Sequence, residues 1–570
     1  MRLKVSRSKN AASFYVTKTV YEGKKEKTIT VEKLGTEKEL RDKLNGQDPY
    51  EWAKKYIDEL NRQDREANRD VMVKCSPNKQ IEMNDKRSFN GGYLFLQHIY
   101  NELGLPKICK TISNNYKFTF NLDSILSRLV YGRIIFPASK LATNDLSKEF
   151  IEQPNFELQH IYRALEVISK ESDFIQSELY NNSLNVYNRK KGILYYDCTN
   201  YFFEIEQEDG LKQYGVSKEH RPNPIVQMGL FMDSDGIPLA FCINKGNTNE
   251  QVTLKPLEEK IISDFKLSKF VVCTDAGLAS TANRIFNNTK NRSFITTQSV
   301  KKLKKHLKEW ALNPTGWRLS GSEKNFNITE LDKEKDIKKI FYKERWIKED
   351  GLEQKLIVTF SLKYKNYQAT IRNRQVEKAQ NTIDKNPTKL KKCNANDYKR
   401  FITKTHCTAD GEAADKEFLD IDTSLIEQEA IYDGFYAVCT NLEDDASAII
   451  KVNQKRWEIE ECFRIMKTEF KARPVYLQRD DRIEAHFTTC FISLMIYRLL
   501  EKKLEEKFTC NDIISTLKGM NFYEVKGEGY IPTYTRTDLT DALHDAFGFR
   551  TDLQIVNNKT MKKFLKGTKN

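Results

Sequence analysis

Two short apolar runs each end in an aspartate, and they narrow the folds open to this chain of 570 residues. One is Ile193-Leu194-Tyr195-Tyr196-Asp197; the other is Phe270-Val271-Val272-Cys273-Thr274-Asp275. Continuous apolar runs of this length are predicted to be strands buried on both faces. Each releases a carboxylate at the point where the strand ends.

The elements around these runs follow a definite order. A strand is predicted over 193–204, a second over 225–232, and a third over 238–243 after the turn Asp233-Ser234-Asp235-Gly236. A helix at about 251–265 leads to the strand over 269–275. The first three strands form an antiparallel meander, so the order is β-β-β-α-β. That is the order of the RNase H-like fold; a doubly wound nucleotide-binding fold alternates strand and helix from the start. A helix at 280–288 and the strand Ser293-Phe294-Ile295-Thr296-Thr297 extend the pattern. Residues 300–430 then read as a lysine-containing, β-rich insertion, with β-type runs at Lys339 to Trp346 and Leu356 to Tyr367. The run Ala430 to Cys439 returns to the core.

A third segment, Arg456-Trp457-Glu458-Ile459-Glu460-Glu461-Cys462-Phe463-Arg464-Ile465-Met466-Lys467, has helical periodicity with an inversion. Arg456, Glu460, Phe463 and Lys467 share one stripe, flanked by Val452, Ile459, Met466 and Phe470. A surface helix keeps its charges off the apolar face. Charges on such a face need a metal, a phosphate or one another. Two strand-end aspartates and a helical glutamate form an all-oxygen ligand set, suited to Mg²⁺ or Mn²⁺. Two such ions would serve phosphodiester cleavage, with Asp197, Asp275 and Glu460 as metal ligands and catalytic residues. Arg456 and Lys467 would then hold DNA phosphates, Arg456 as a fork and Lys467 as a point charge. An i,i+4 pair in which Arg456 only orients Glu460 is the alternative role.

These residues carry a resemblance. The spacing Arg456-x3-Glu460-x6-Lys467 matches the signature Tyr-x2-Arg-x3-Glu-x6-Lys of bacterial insertion-sequence DDE transposases of the IS-four superfamily. Asn453 stands at the tyrosine position. Asp197-Cys198-Thr199, the Asp275-Ala276-Gly277 turn and Asp433-Gly434-Phe435-Tyr436 belong to the same resemblance, and Met1 to Leu34 resembles the IS-sixteen-thirty-four subgroup. The resemblance implies an enzyme that binds terminal inverted repeats, cleaves the ends and joins 3′-OH ends to target DNA. It implies a homodimer in a synaptic complex, and an insertion between the second aspartate and the glutamate. It also implies an aromatic in that insertion that stacks a flipped base, for which Trp346 and Trp317 are candidates; core packing is the other role for each.

The rest of the chain frames this reading. Residues 1–75 are predicted to be a small β-meander plus helix, with Ser13 to Thr17 and Thr28 to Val31 flanking a turn near Glu22-Gly23-Lys24. Residues 85–190 are predicted to be a helical domain, with Leu122 to Val130 amphipathic and a break at Pro137-Ala138-Ser139-Lys140. Both regions are candidates for DNA binding. The core is divided into 191–299 and 431–500, and 501–570 reads as a helical C-terminal region with a frayed basic tail. Overall this is a mixed α/β multidomain chain. The net charge of +14 favours a polyanionic partner once the acids are in view. Eleven scattered cysteines without a Cys-x-x-Cys pair argue against zinc or disulfides and for a reducing cytoplasm, and the resemblance implies a bacterial one with the protein on the nucleoid. Seven scattered histidines argue against an imidazole-bound metal. Phe487 to Leu500 is interrupted by Thr488, Thr489, Ser493 and Arg498, so a buried helix is expected rather than a membrane span. The rival functions are an RNase H-like nuclease that does not join strands and a domesticated DNA-binding protein. A carboxylate-pair glycosidase leaves Arg456 and Lys467 without a task.

Overall fold

The computed structural model describes the chain apart from residues 9–10, 23–24, 45, 68–70, 74–75, 386–395, 408–412 and 570. Gly23 and Lys24 of the expected turn, and most of the lysine-rich stretch 384–400 that the sequence makes strongly basic, therefore lie outside the described residues. The chain divides into two compact units: Met1–Lys86 with Val525–Glu528, and Arg87–Glu524 with Gly529–Asn570.

In the first unit, strands β1 (Arg2–Ser8), β2 (Ala11–Glu22) and β3 (Lys25–Thr36) form the expected antiparallel meander. Thr36 and Glu39 close a reciprocal capping box at the start of the helix Glu37–Lys43. Phe14 is fully buried against Leu40 and Ala53, with Tyr50 meeting its ring edge-on.

The second unit opens with β4 (Ser88–Asn90) and a set of helices. The helix Leu122–Ile135 is buried on nearly every side rather than amphipathic, so it is a core element and cannot enter a DNA groove. Ser139 caps the helix Lys140–Leu146, as the sequence suggests, by accepting from the Ala142 amide at 3.2 Å.

The central sheet follows. Its first strands are β5 (Ile193–Phe202), β6 (Ile225–Asp233) and β7 (Pro238–Lys245). After the helix Leu254–Asp264 come β8 (Phe270–Thr274) and β9 (Arg292–Gln298). β5, β6 and β7 pair antiparallel, β5 pairs parallel with β8, and β8 pairs parallel with β9. Every residue of β6 is buried, which explains its unbroken apolar run.

The sheet does not stop at β9. β10 (Trp317–Leu319), β11 (Ser322–Phe326), β12 (Phe341–Glu349) and β13 (Leu352–Phe360) extend it. The hairpin β14 (Ile402–Cys407) and β15 (Ala413–Ile421) stands apart as a two-stranded sheet. β16 (Phe435–Thr440) then lies between β9 and β13, and the full order is β11-β10-β12-β13-β16-β9-β8-β5-β6-β7. The protein is thus mixed α/β around one ten-stranded mixed sheet.

Two sequence expectations change here. The β-type run Leu356 to Tyr367 ends at Phe360, because Ser361 caps a 23-residue helix, Leu362–Asp384. The C-terminal region carries β17 (Asn521–Val525), β18 (Gly529–Pro532) and β19 (Val556–Asn557) as well as helices. Its tail is not frayed: Asn557 caps the helix Asn558–Gly567, which buries Met561.

The apolar segment 487–500 lies within the helix Asp480–Lys503, which is buried in the core. It packs against β7 and against the helices Leu158–Lys170 and Leu122–Ile135. Its buried Arg498 donates from Nε to the Gly236 carbonyl at 2.8 Å, and from Nη2 to Glu458 at 3.2 Å. Gly236 has φ +74°, and a Cβ there would sit 2.1 Å from the Glu458 carboxylate. The β6–β7 turn therefore needs glycine, and it is clamped to the segment that carries Glu460.

Candidate active site

Strand register brings the two aspartates together. In the parallel pair β5–β8, Tyr195 lies opposite Cys273. Two residues further along are Asp197, in the middle of β5, and Asp275, one residue past the end of β8, on the same face of strands about 4.8 Å apart. The expectation that Asp197 ends its strand is not met, because β5 runs on to Phe202 in its pairing with β6. Asp197 Oδ1 accepts from the Cys198 amide at 2.7 Å. Asp275 Oδ1 accepts from the Leu278 amide at 3.0 Å, which fixes the turn leaving β8. Burial, together with the like charge of Asp275, pushes the Asp197 carboxyl up to about 6, against the pull of Lys218, the Cys198 amide and Arg456.

The helix Trp457–Arg464 delivers the other residues, and its last turn widens into a π-turn over Ile465–Glu469. Tyr195 anchors the preceding helix by donating to the Val452 carbonyl at 2.8 Å. Ile459, Phe463 and Met466 are buried, so the stripe faces protein as the pattern suggests. Arg456 is partly buried and its charge reaches both aspartates. Burial opposes that charge, but Tyr436, Asp197 and Asp275 outweigh it and raise the guanidinium further. Its Nη1 is buried without a hydrogen-bond partner among the described residues. Lys467 lies in the π-turn, donates to Thr199 Oγ1 at 2.7 Å, and sits 5.4 Å from the centre of the Tyr201 ring. Burial and the neighbouring Lys218 push the Lys467 ammonium down to about 8.

Glu460 is placed differently from the stripe's expectation. Its side chain is 63% exposed and pairs with Arg456 at 3.4 Å. A straight α-helix puts Glu460 in line with Arg456 and Lys467, but Arg456 begins the helix and Lys467 sits in a widened turn. The three carboxylates do not close into one cage. Among the described residues the one group of three ligand-type side chains within 4.8 Å is Asp541, His544 and Asp552. Those two aspartates are already paired with Arg550, and Arg536 lies 2.8 Å from Asp541.

Two basic or polar partners escaped the sequence reading. Lys218, from the loop after β5, donates to the Cys198 carbonyl and lies 3.1 Å from Glu250. Burial works against its charge, yet Asp197 and Glu250 raise it. Tyr436, on β16, accepts from Asn453 Nδ2 at 3.0 Å and meets Thr297 Oγ1 at 2.6 Å. The signal for Tyr436 was its place in the Asp433-Gly434-Phe435-Tyr436 motif. Asp433 itself is held by both Arg372 Nη atoms, at 2.7 and 2.6 Å.

A cleft of about 380 Å³ opens beside Glu460 and Arg456, with Tyr364, Tyr436, Asn453 and Trp457 among its walls. Trp346 is not one of them; it is 44% exposed on β12, with the Lys355 ammonium 5.7 Å from its ring centre. Trp317 is fully buried and is a core aromatic.

The residues fit divalent cations. The donor set is hard oxygen, and Asp197 and Asp275 share one face of neighbouring strands. Burial with the like charge of Asp275 raises the Asp197 carboxyl despite Lys218 and Arg456, a deficit that a bound cation relieves. Arg456 Nη1, buried and unpartnered, is a donor suited to an anionic oxygen.

The sequence model of the transposase DDE domain family matches residues 202–496, just over half of the chain. The match starts five residues beyond Asp197 and includes Asp275, Arg456, Glu460 and Lys467. No curated protein matches the sequence. Among solved structures, the cryo-EM structure of a piggyBac transposase synaptic complex with hairpin DNA is similar over 75% of this chain and 78% of that chain. Identity is 9% and the TM-score is 0.36, a likeness too loose to carry argument.

Proposed function

Since the chain belongs to the transposase DDE domain family, we propose that it is an insertion-sequence transposase with an RNase H-like catalytic core. It is an enzyme of the DDE transposase class, a class that uses divalent metal ions, generally Mg²⁺ or Mn²⁺. The finer reading is an IS-four superfamily member of the IS-sixteen-thirty-four subgroup. It binds the element's terminal inverted repeats, cleaves the ends and joins the 3′-OH ends to target DNA. Two copies act together in a synaptic complex on the bacterial nucleoid.

The observation that carries this reading is the register that sets Asp197 and Asp275 side by side, under the Arg456 guanidinium. The sheet order β7-β6-β5-β8-β9, with β5–β7 antiparallel, supports an RNase H-like core. Asp197, Asp275 and Glu460 are the residues that would hold two divalent cations. Bound there, the cations supply charge neutralisation and an activated oxygen nucleophile at phosphorus. Arg456 grips a phosphate through its free Nη1, and Lys467 adds a second positive charge from the far end of the helix. Glu460 joins the aspartates by giving up its Arg456 partner, which leaves the guanidinium to the DNA. Trp346 is exposed and stays available for a base; Tyr364, Tyr436 and Trp457 line the cleft nearest Glu460.

The test uses the full chain and a plasmid carrying the DNA that brackets its reading frame. Asp197→Asn, Asp275→Asn and Glu460→Gln are each expected to abolish nicking in Mg²⁺ while a gel shift persists. Substantial nicking by any one of them removes that residue from the site. Pre-cleaved ends that fail to join target DNA would favour the nuclease reading.

A further inference from the structure

A second cleft, of about 440 Å³, lies outside the carboxylate site. Arg133, Lys140, Lys471 and Arg473 line it together with His486, and among the described residues no aspartate or glutamate does. Its volume is in the range of ordinary ligand pockets. Lys140 is only 5% exposed, and its ammonium has no hydrogen-bond partner among the described residues. Arg133 spends Nη1 on the Phe470 carbonyl at 3.1 Å and Nη2 on the Ala138 carbonyl at 3.2 Å, and its Nε is also unpartnered. His486 Nε2 lies 3.2 Å from the Ala472 carbonyl. Burial and the neighbouring Arg133 push Lys140 down to about 7. Burial, Arg133 and Lys140 hold His486 neutral.

A buried, unpaired lysine is costly. Here it stands beside three more cations, of which Arg473 is paired with Glu219 outside the lining, and no acid lines the cleft among the described residues, so its excess positive charge suits an anion. Two features say which anion. Arg473 pairs with Glu219, and Glu219 lies 3.5 Å from Lys467, so the cleft is one ion pair from the candidate active site. The rim carries an aromatic ring, Tyr476, that is 68% exposed, and Leu141 beside it is also exposed. Free phosphate has no use for an exposed ring; a nucleotide does, because bases stack on aromatic faces.

We propose that this cleft is a nucleotide-binding subsite for the DNA strand leaving the carboxylate site, its phosphate held by Arg133, Lys140, Lys471 and Arg473 and its base stacked on Tyr476. The assignment rests on the transposase reading. The Lys467–Glu219–Arg473 chain couples the two sites, so one strand contacts Lys467 and the cleft in turn.

Fluorescence anisotropy across a salt series tests it, using a labelled duplex with a single-stranded flank and no metal. Lys140→Met is expected to lower the log–log salt slope by about one. Lys471→Ala, at an exposed position that cannot disturb the core, is expected to lower it by a similar amount, about one. Tyr476→Ala is expected to weaken binding about tenfold with the slope unchanged. Asp275→Asn is expected to leave all three effects intact, which separates this site from the carboxylates. Unchanged slopes in both lysine variants, with the native chain binding DNA, overturn the subsite and leave the transposase reading standing. A native chain that does not bind the duplex, and does not nick it when Mg²⁺ is added, overturns the transposase reading and this assignment with it. Inorganic phosphate alone is the last arm. Thermal stabilisation by phosphate that Lys140→Met abolishes, with DNA binding unaffected, makes the cleft a free-anion site and refutes the nucleotide.

Discussion

Replacing Asp197 by asparagine should stabilise the metal-free protein while removing its activity. The folded carboxyl titrates near 6, against 3.8 for the ordinary group. Between those values the folded state binds more protons than the unfolded chain, so stability falls as pH rises from about 4 to about 6 and the deficit is complete above that. About two pKa units correspond to about 3 kcal/mol. Asparagine keeps the shape and accepts the Cys198 amide, but carries no charge to desolvate and none to repel Asp275. At pH 7.5 the urea-unfolding free energy of Asp197→Asn should therefore exceed that of the native chain by about 3 kcal/mol, and at pH 4 the two should agree. Mg²⁺ should raise the native chain and leave the variant nearly unmoved, since a bound cation relieves the same deficit. An Asp197→Asn protein that is less stable at pH 7.5, or that differs equally at both pH values, would refute the argument.

Three further outcomes follow from other parts of the structure. Arg456→Lys should impair nicking because a point charge cannot replace the fork, and Arg456→Ala should flatten the salt dependence of end binding by about one; lost cleavage with an unchanged slope would assign Arg456 to orienting Glu460 instead. Glu258, buried and hydrogen-bonded by Asn287 at 2.9 and 3.0 Å, is pushed up to about 8 by burial. It stays protonated in the fold at pH 7 while the unfolded chain ionises, so stability should decline between about pH 4.5 and 8, and Glu258→Gln should flatten that decline in denaturant titrations. Arg498→Met leaves Glu458 and Glu501 without their buried partner; an exchange experiment should find the Trp457–Arg464 amides less protected and the protein destabilised by about 3–5 kcal/mol.

The strands around Asp197 and Asp275 were legible because they are buried on both faces, which leaves apolar runs. The run before Asp275 does end at the acid, whereas β5 continues past Asp197 to Phe202, since a strand can carry a functional acid in its middle. The spacing of Arg456, Glu460 and Lys467 was legible because it is local. Lys218 was not, since it reaches the site from a distant loop with no local pattern to mark it; Tyr436 stood in a quoted motif, but nothing local in that motif gives it a role beside Arg456. The exposure of Glu460 was also hidden. It depends on the helix beginning at Arg456 and widening at Ile465, and periodicity assumes a regular helix. Residues 356–367 misled for a related reason: alternating aromatics and lysines suit a strand, and only the cap at Ser361 decides for helix after Phe360. Trp317 and Trp346 were indistinguishable in sequence because each sits on a strand among mixed polar and apolar neighbours. The facing core of Phe360 and Phe435 buries the first, while the second projects from β12.

The way β13 and β16 join β9 bears on how the gene tolerates truncation. The segment from Trp317 to Phe360 does not hang from a linker; its strands continue the hydrogen-bond ladder that holds Asp275. Cutting it out would strip β16 of a neighbour along Phe435–Thr440 and leave an open row of amides and carbonyls beside β9. Such an open edge recruits other chains. Shortened copies of this protein should therefore fail first by self-association, before any residue of the carboxylate site is lost.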